Sequence, residues 1–194
     1  MIKTNDAAAG LISENFVYSN LGPADIAEYF ELFSDPRVSI PMGVRPLRTI
    51  EDAKISLGSK KSHDAFTWLI RSKEEGKFTG IFGLHNINWQ HRCAQIGGGL
   101  LPTKWRKGHG LEIVKRLAGF AFAELSLHRI EGHLYPDNTP MKNLFIKAGF
   151  QVEGLLRENF FYEGKRGDTL IMGLLQSPLT PPAVPTNPVE RYCR

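Results

Sequence analysis

The chain has 194 residues, 42% of them hydrophobic and 23% charged, with a formal net charge of +4. That composition suits one well-cored globular domain, and the charge excess is too small and too scattered for a nucleic-acid face. The two cysteines, Cys93 and Cys193, lack zinc-site spacing and argue against a disulfide. No apolar run reaches the roughly 18 residues of a membrane span, and the first residues lack a signal-peptide core, so a soluble cytoplasmic protein is expected.

Residues 14–20 (ENFVYSN) read as a strand, ended by Gly22 and Pro23. PADIAEYFELF spaces Ile26, Phe30 and Phe33 as one face of a helix that stops at Asp35-Pro36. The segment from Val38 to Leu47, with Pro41 and Pro46, reads as irregular. TIEDAKISLGSKK predicts a second short helix, with Thr49 or Glu51 near its start and Gly58 weakening its end. FTWLI (66–70) and FTGIFGLHNI (78–87) flank KEEGK and predict a hairpin with Gly76 in the turn. CAQIGGGLL (93–101) is a third strand, closed by Pro102.

From Gly110 to about Leu127, the residues Leu111, Val114, Leu117, Ala118, Ala121 and Leu125 form one helical stripe. RIEGHLY (129–135) follows as a strand, so a parallel strand–helix–strand crossover is expected. PDNTP turns the chain, MKNLFIKA is a short helix, and Gly149 caps it. Two strands around EGKRGD complete an antiparallel hairpin. Residues 1–175 are read as a single domain, and 176–194, with five prolines, as an extended tail. The order predicts a mixed α/β (α+β) sheet, mostly antiparallel, with one parallel crossover.

One stretch carries chemistry. WRKGHG (105–110) places glycines where a strand stops and a helix starts, with Arg106 and Lys107 beside them. Unpaired N–H groups at a helix start form an anion site, and glycine lets a phosphate approach the backbone. A phosphorylated ligand is expected there.

Three blocks in order now resemble the GNAT superfamily of N-acetyltransferases, in particular its ribosomal-protein-alanine (Rim-type) branch: AQIGGGLLPTKWRKGHG, LHRIEGHLYPDNTPMKNLFIKAGF and VEGLLRENFFYEGKRGDTLIMGLL. The resemblance covers about residues 66–175. It implies a sheet splayed at a bulged central strand, with helices on both faces and acetyl-CoA as co-substrate without a metal. Gly97, Gly98 and Gly99 would admit the bulge. By the same resemblance, the backbone of Gly99, Leu100 and Leu101 pairs with the pantetheine arm. The pyrophosphate then rests on the N–H groups of Arg106, Lys107, Gly108, His109, Gly110 and Leu111. Trp105 holds the family position three residues before Gly108. Asn138 is implied to contact the pantetheine and is equally a turn residue, and Lys142 reaches the phosphates or is an exposed helix lysine.

The implied reaction is direct attack of a primary amine on the thioester. It needs a proton acceptor for the amine and a donor for the oxyanion, for which the Leu100 N–H is the candidate. A thiol of pKa roughly 8.5 leaves without much help. Gln95 stands where relatives carry a glutamate and cannot act as a base. Glu131 and His133 share a strand face, His85 sits on a neighbouring strand, and a water relay also fits. Asp168, Glu158 and Tyr162 are acceptor-side groups by analogy or plain hairpin charges. Met141 and Phe145 stand at positions of a family serine and a family tyrosine acid, and neither can protonate a thiolate. The acceptor is a protein N-terminus, as in the Rim branch, or a small amine such as an amino sugar, polyamine or antibiotic. A catalytically degenerate acyl-CoA-binding module is the alternative. No nucleic-acid or membrane partner is expected, and a homodimer is compatible with the resemblance.

Overall fold

The computed structural model describes residues 10–59 and 64–176. The proline-rich tail, Cys193 and the first nine residues lie outside that range. Seven strands form one sheet in the order β1-β2-β3-β4-β5-β7-β6: β1 (Phe16–Asn20), β2 (Phe66–Ser72), β3 (Phe78–Asn88), β4 (Cys93–Leu100), β5 (Arg129–Leu134), β6 (Gln151–Tyr162) and β7 (Lys165–Leu175). Every pairing is antiparallel except β4 with β5.

The helices are α1 (Ile26–Ser34), α2 (Pro36–Ser39), α3 (Ile50–Ser59), α4 (His109–Ala123) and α5 (Thr139–Ala148). Alternation along β2 explains why helices cover both sheet faces. Phe66, Trp68 and Ile70 enter a core with Ile113, Leu117 and Phe120 of α4. Leu69, one residue out of phase, joins Tyr29, Leu32 and Phe33 of α1 in a second core. Side chains of successive strand residues point to opposite faces, so a strand apolar at both parities needs cover on both sides.

Three sequence expectations change in detail. The segment from Val38 onward begins as helix, not irregular chain: Asp35 accepts from the Arg37 N–H at 2.9 Å and caps α2, and Pro36 takes a first-turn place where its missing N–H costs nothing. A 3₁₀ turn over Ile40–Met42 follows, and Gly43, at φ 71°, ends it. The stripe of α4 includes Ile113 and Phe120, whereas Leu111 is only half-buried. Finally, the three glycines do not insert an extra residue into the β3–β4 ladder. Its register runs unbroken from Gly80↔Leu100 to His85↔Gln95, with a shift only between His85 and Asn88.

The sheet opens on the other side of β4. Pairing with β5 covers Cys93↔Arg129 to Gln95↔Glu131 and then stops. Gly98, at φ 156°, lies so close to β3 that a Cβ there would sit 2.4 Å from the Ile81 carbonyl oxygen. Gly98 thus lets β4 lie close to β3, and beyond Gln95 the pairing with β5 lapses, which leaves a V with Gln95 and Glu131 at its apex.

Candidate active site

The V widens into a cleft of about 780 Å³ between the 37–42 segment, the end of β4, the start of α4 and one face of α5. Ladder alternation decides which backbone groups of β4 reach it. The Leu101 N–H donates to the Thr79 carbonyl at 3.0 Å. Residues 101 and 99 thus turn their peptide groups toward β3, and residues 100 and 98 turn theirs toward the gap. Gly98, Gly99 and Leu100 line the cleft, but Leu101 does not: its N–H is used and its side chain packs into the second core.

Beyond the strand, Arg106 at φ 60° and Gly108 at φ 81° both adopt left-handed conformations on either side of Lys107. Alternating hands of this kind turn successive N–H groups into one concavity, a nest for an anion. Gly108 is the N-cap of α4 and offers no side chain to cap its first N–H groups. Leu111 is an exception among the expected donors, because its N–H bonds to the Gly108 carbonyl at 3.0 Å. Gly110 lets α5 approach: a Cβ there would lie 2.5 Å from Leu144 Cδ1. His109 stands edge-on to Phe16 at 5.1 Å, and its Nδ1 is buried without a hydrogen-bond partner. Burial first, then Lys104 and Lys107, hold its pKa below the usual histidine value, so the ring is neutral near pH 7.

Trp105, Arg106, Gly108, His109, Gly110 and Leu111 all line the cleft. Lys107 and Lys142 do not, and Lys104 and Lys147 stand there instead. On α5 the reason is rotation. Asn143 and Lys147, four residues apart, share the cleft face with Pro140, while Lys142 is turned a hundred degrees away from Asn143. Asn138 lines the cleft and also caps α5, its Oδ1 accepting from the Met141 N–H at 3.3 Å.

The acid–base candidates separate from the cleft. Glu131 accepts from Arg129 Nε at 2.8 Å, and its other oxygen lies 3.0 Å from His133 Nε2. Partial burial opposes its charge, but the bonds from His133 and Arg129 prevail and hold the carboxyl below the usual range. Gln95 Nε2 lies 3.3 Å from His133 Nε2 and joins the group. This cluster sits at the apex of the V, outside the residues that line the cleft. His85 is likewise outside: it pairs with Gln95 and lies over Gly83, where a Cβ would come 2.6 Å from its ring. Asp168 accepts from the Glu158 N–H, and Glu158 pairs with Arg166 at 2.9 Å, so both are spent within the β6–β7 hairpin. Phe145 is buried and stacked on Phe150. Cys93 is half-buried and free.

Tyr135 was missed. It carries the one side-chain hydroxyl among the residues lining the cleft. Its ring stacks on Phe160 at 4.0 Å, and a Cβ on Gly43 would lie 2.9 Å from its oxygen. Burial, then Tyr162 and Asp137, push its pKa above the ordinary value, so it keeps its proton. The signal was available: residues 129, 131, 133 and 135 share one face by strand alternation. Among the described residues, no group of three or more His, Cys, Asp or Glu side chains is placed to hold a metal, and no helix is long and apolar enough to cross a membrane.

Residues 16–151 match the family described as acetyltransferase (GNAT) domain. The uncharacterized N-acetyltransferase YoaA of Bacillus subtilis (strain 168) is 26% identical over 170 residues, which is 86% of this chain and 96% of the relative. The spermidine N(1)-acetyltransferase of Vibrio cholerae serotype O1 is 34% identical over 98 residues, 50% of this chain and 57% of that protein. The crystal structure of spermidine N-acetyltransferase from Vibrio cholerae in complex with CoA and spermine superimposes with a TM-score of 0.76 at 22% identity, covering 84% of this chain and 96% of that one. That likeness carries the fold. The matches place the chain in the superfamily without singling out the Rim-type branch.

Proposed function

We infer that this chain, which belongs to the acetyltransferase (GNAT) domain family, transfers an acetyl group from acetyl-CoA to a primary amine. The observation that carries the reading is the junction of two features: the gap between β4 and β5, into which the Leu100 peptide turns, and the nest at Arg106–Gly108 that continues it.

Acetyl-CoA supplies an activated thioester. The chain supplies the rest. Backbone N–H groups from Arg106 to Gly110 hold the pyrophosphate, with charge from Lys104, Arg106 and Lys147 nearby. Trp105 and Asn138 border the arm. The Leu100 N–H donates to the oxygen of the reacting carbonyl, a fixed dipole that needs no reorganisation as charge develops there. Glu131 and His133 accept the amine proton through water, with Gln95 and His85 around them. Phe145 has no proton to give, and Tyr135, whose hydroxyl stays protonated, takes the role of donor to the departing sulfur.

The acceptor is a small primary amine, a reading supported by similarity to a spermidine N(1)-acetyltransferase. The protein N-terminus of the Rim-type branch is the other acceptor to be tested. A homodimer would use β6, an edge strand that leaves Val152, Leu155, Leu156 and Phe161 exposed. The modest charge of +4 favours no nucleic-acid partner.

Acetyl-CoA should raise the melting temperature, since it binds the folded state, and thiol release should follow addition of a small amine. A chain that shows neither at millimolar ligand does not carry this activity. Turnover of peptides with free N-termini, and of no small amine, would move the acceptor to the Rim-type class.

A further inference from the structure

A second cavity, about 530 Å³, adjoins the cleft, and Ile40 lines both. Its walls come from the 45–48 segment, from Asp52 in the first turn of α3, and from Tyr162 and Glu163 where β6 turns into β7. Tyr162, an acceptor-side group by the family resemblance, puts this cavity on the acceptor side. Two arginines stand in it, Arg45 and Arg48. Four arginines elsewhere are ion-paired, Arg37 with Asp35, Arg71 with Glu28, Arg129 with Glu131 and Glu153, and Arg166 with Glu158, while Arg92 and Arg116 donate to backbone carbonyls. Arg45 and Arg48 enter no ion pair among the described residues.

The carboxylates of the cavity are already engaged. Asp52 accepts from the backbone N–H groups of Thr49 at 2.9 Å and Arg48 at 3.2 Å, at the start of α3. Glu163 lies against the Tyr162 hydroxyl. Arg45, Tyr162 and Glu163 line the same cavity, and desolvation and then Glu163 push the Tyr162 hydroxyl above its ordinary value, with Arg45 acting in the opposite sense. The remaining walls, Ile40, Pro46 and Leu47, are apolar and strengthen whatever charge interaction forms beside them.

We propose that this cavity receives an anionic group of the acceptor, so that the enzyme acetylates amines carrying a carboxylate or a phosphate several bonds from the amino group. The proposal rests on the acetyltransfer reading above. Guanidinium forks match both anions in geometry. Asp52 and Glu163 keep their charge, so the corner is balanced overall; what Arg45 and Arg48 add is hydrogen-bond donors, which an anionic group can use and a second ammonium, itself only a donor, cannot.

The test compares three homologous series at equal chain length with the full chain and acetyl-CoA: α,ω-diamines, aminoalkyl carboxylates and aminoalkyl phosphates. At least a tenfold higher kcat/KM for one anionic series over the diamines is expected, and the better anionic series identifies the group. In the Arg45→Ala/Arg48→Ala variant that ratio should fall at least tenfold, through KM, while the acetyl-CoA-induced melting shift is retained. Diamines outperforming both anionic series, or an unchanged ratio in the variant, overturns the proposal. If no amine is turned over, the acetyltransfer reading fails separately. A melting shift from 6-aminohexanoate or an aminoalkyl phosphate, present in the wild type and lost in the variant, then still supports the arginine site, and no shift from either refutes it.

Discussion

The Trp105 indole N–H donates to the Leu100 carbonyl at 2.9 Å. That carbonyl faces the gap beside β5, on the same peptide edge as the N–H assigned to the reacting oxygen. The loop before α4 and the end of β4 are thereby joined by one side-chain bond, five residues apart in sequence. Trp105→Phe removes the donor but keeps most of the ring. The expected result is a rise in KM for acetyl-CoA of about fivefold, the equivalent of roughly 1 kcal/mol for a lost hydrogen bond, with kcat little changed. An unaltered KM would mean that the bond is incidental to binding.

Gly108 separates steric room from conformational need. A Cβ at this position meets nothing within 4 Å, but φ is 81°. Gly108→Ala should therefore fold, with a loss of roughly 1–2 kcal/mol from the left-handed conformation. Gly108→Glu adds a carboxylate to the nest. It should abolish the melting shift caused by acetyl-CoA, and a shift of wild-type size would put the phosphates elsewhere.

Tyr135→Phe preserves the stack on Phe160 and removes a proton. If the hydroxyl serves the leaving sulfur, kcat falls by about tenfold to a hundredfold, at or below the lower end for general acids because a thiolate leaves readily. KM for acetyl-CoA should hold. A variant with wild-type kcat excludes the role.

Gly98→Ala should cost roughly 1–3 kcal/mol or more, since its Cβ would meet backbone that cannot rotate away: the Ile81 oxygen at 2.4 Å and Phe82 Cα at 2.5 Å. Gly154→Ala, with nothing within 4 Å, is the control and should stay within about 0.5 kcal/mol. Chemical denaturation of the two variants decides whether β4 depends on this close approach to β3.

Acid should loosen the fold through two carboxyls. Glu112, in the first turn of α4, accepts from Ser13 Oγ at 2.6 Å and from the Asn15 backbone and side chain at 2.8 Å each. Partial burial opposes its charge, but these bonds outweigh it, and its pKa, like that of Glu131, lies below the 4.5 of a free glutamate. As pH falls below that value the unfolded chain takes up protons that the folded chain still excludes. The stabilisation is complete above pH 4.5 and drains away as pH drops through the folded pKa values. Glu112→Gln should flatten that acid limb in melting curves taken across pH 3 to 7. An identical limb in the variant would remove Glu112 from the account.

Much of this protein was legible in its order of residues. Each strand and helix rests on local periodicity or on a turn residue, so β1 at Phe16–Asn20, the hairpin about Gly76 and the cap at Gly149 follow from short windows. The backbone nest at Arg106–Gly108 is local too, because the positive φ at Gly108 and the bare start of α4 are properties of one loop. Family membership followed from three such blocks in sequence. The acceptor did not follow from those blocks.

Other features had to wait for the assembled sheet. Whether Gly97–Gly99 make a bulge or a close approach depends on which neighbour β4 leaves, and that neighbour is β5, some thirty residues away in the chain. Lys147 rather than Lys142 on the cleft wall, the Tyr135 hydroxyl in the cleft, and Arg45 in one cavity with Tyr162 all depend on rotation and distance between elements, which no window of sequence contains. Composition and pattern decide what each segment can become, because propensity and burial act over a few residues. Which side chains then share a cleft is decided only when strand register and helix rotation bring distant segments together.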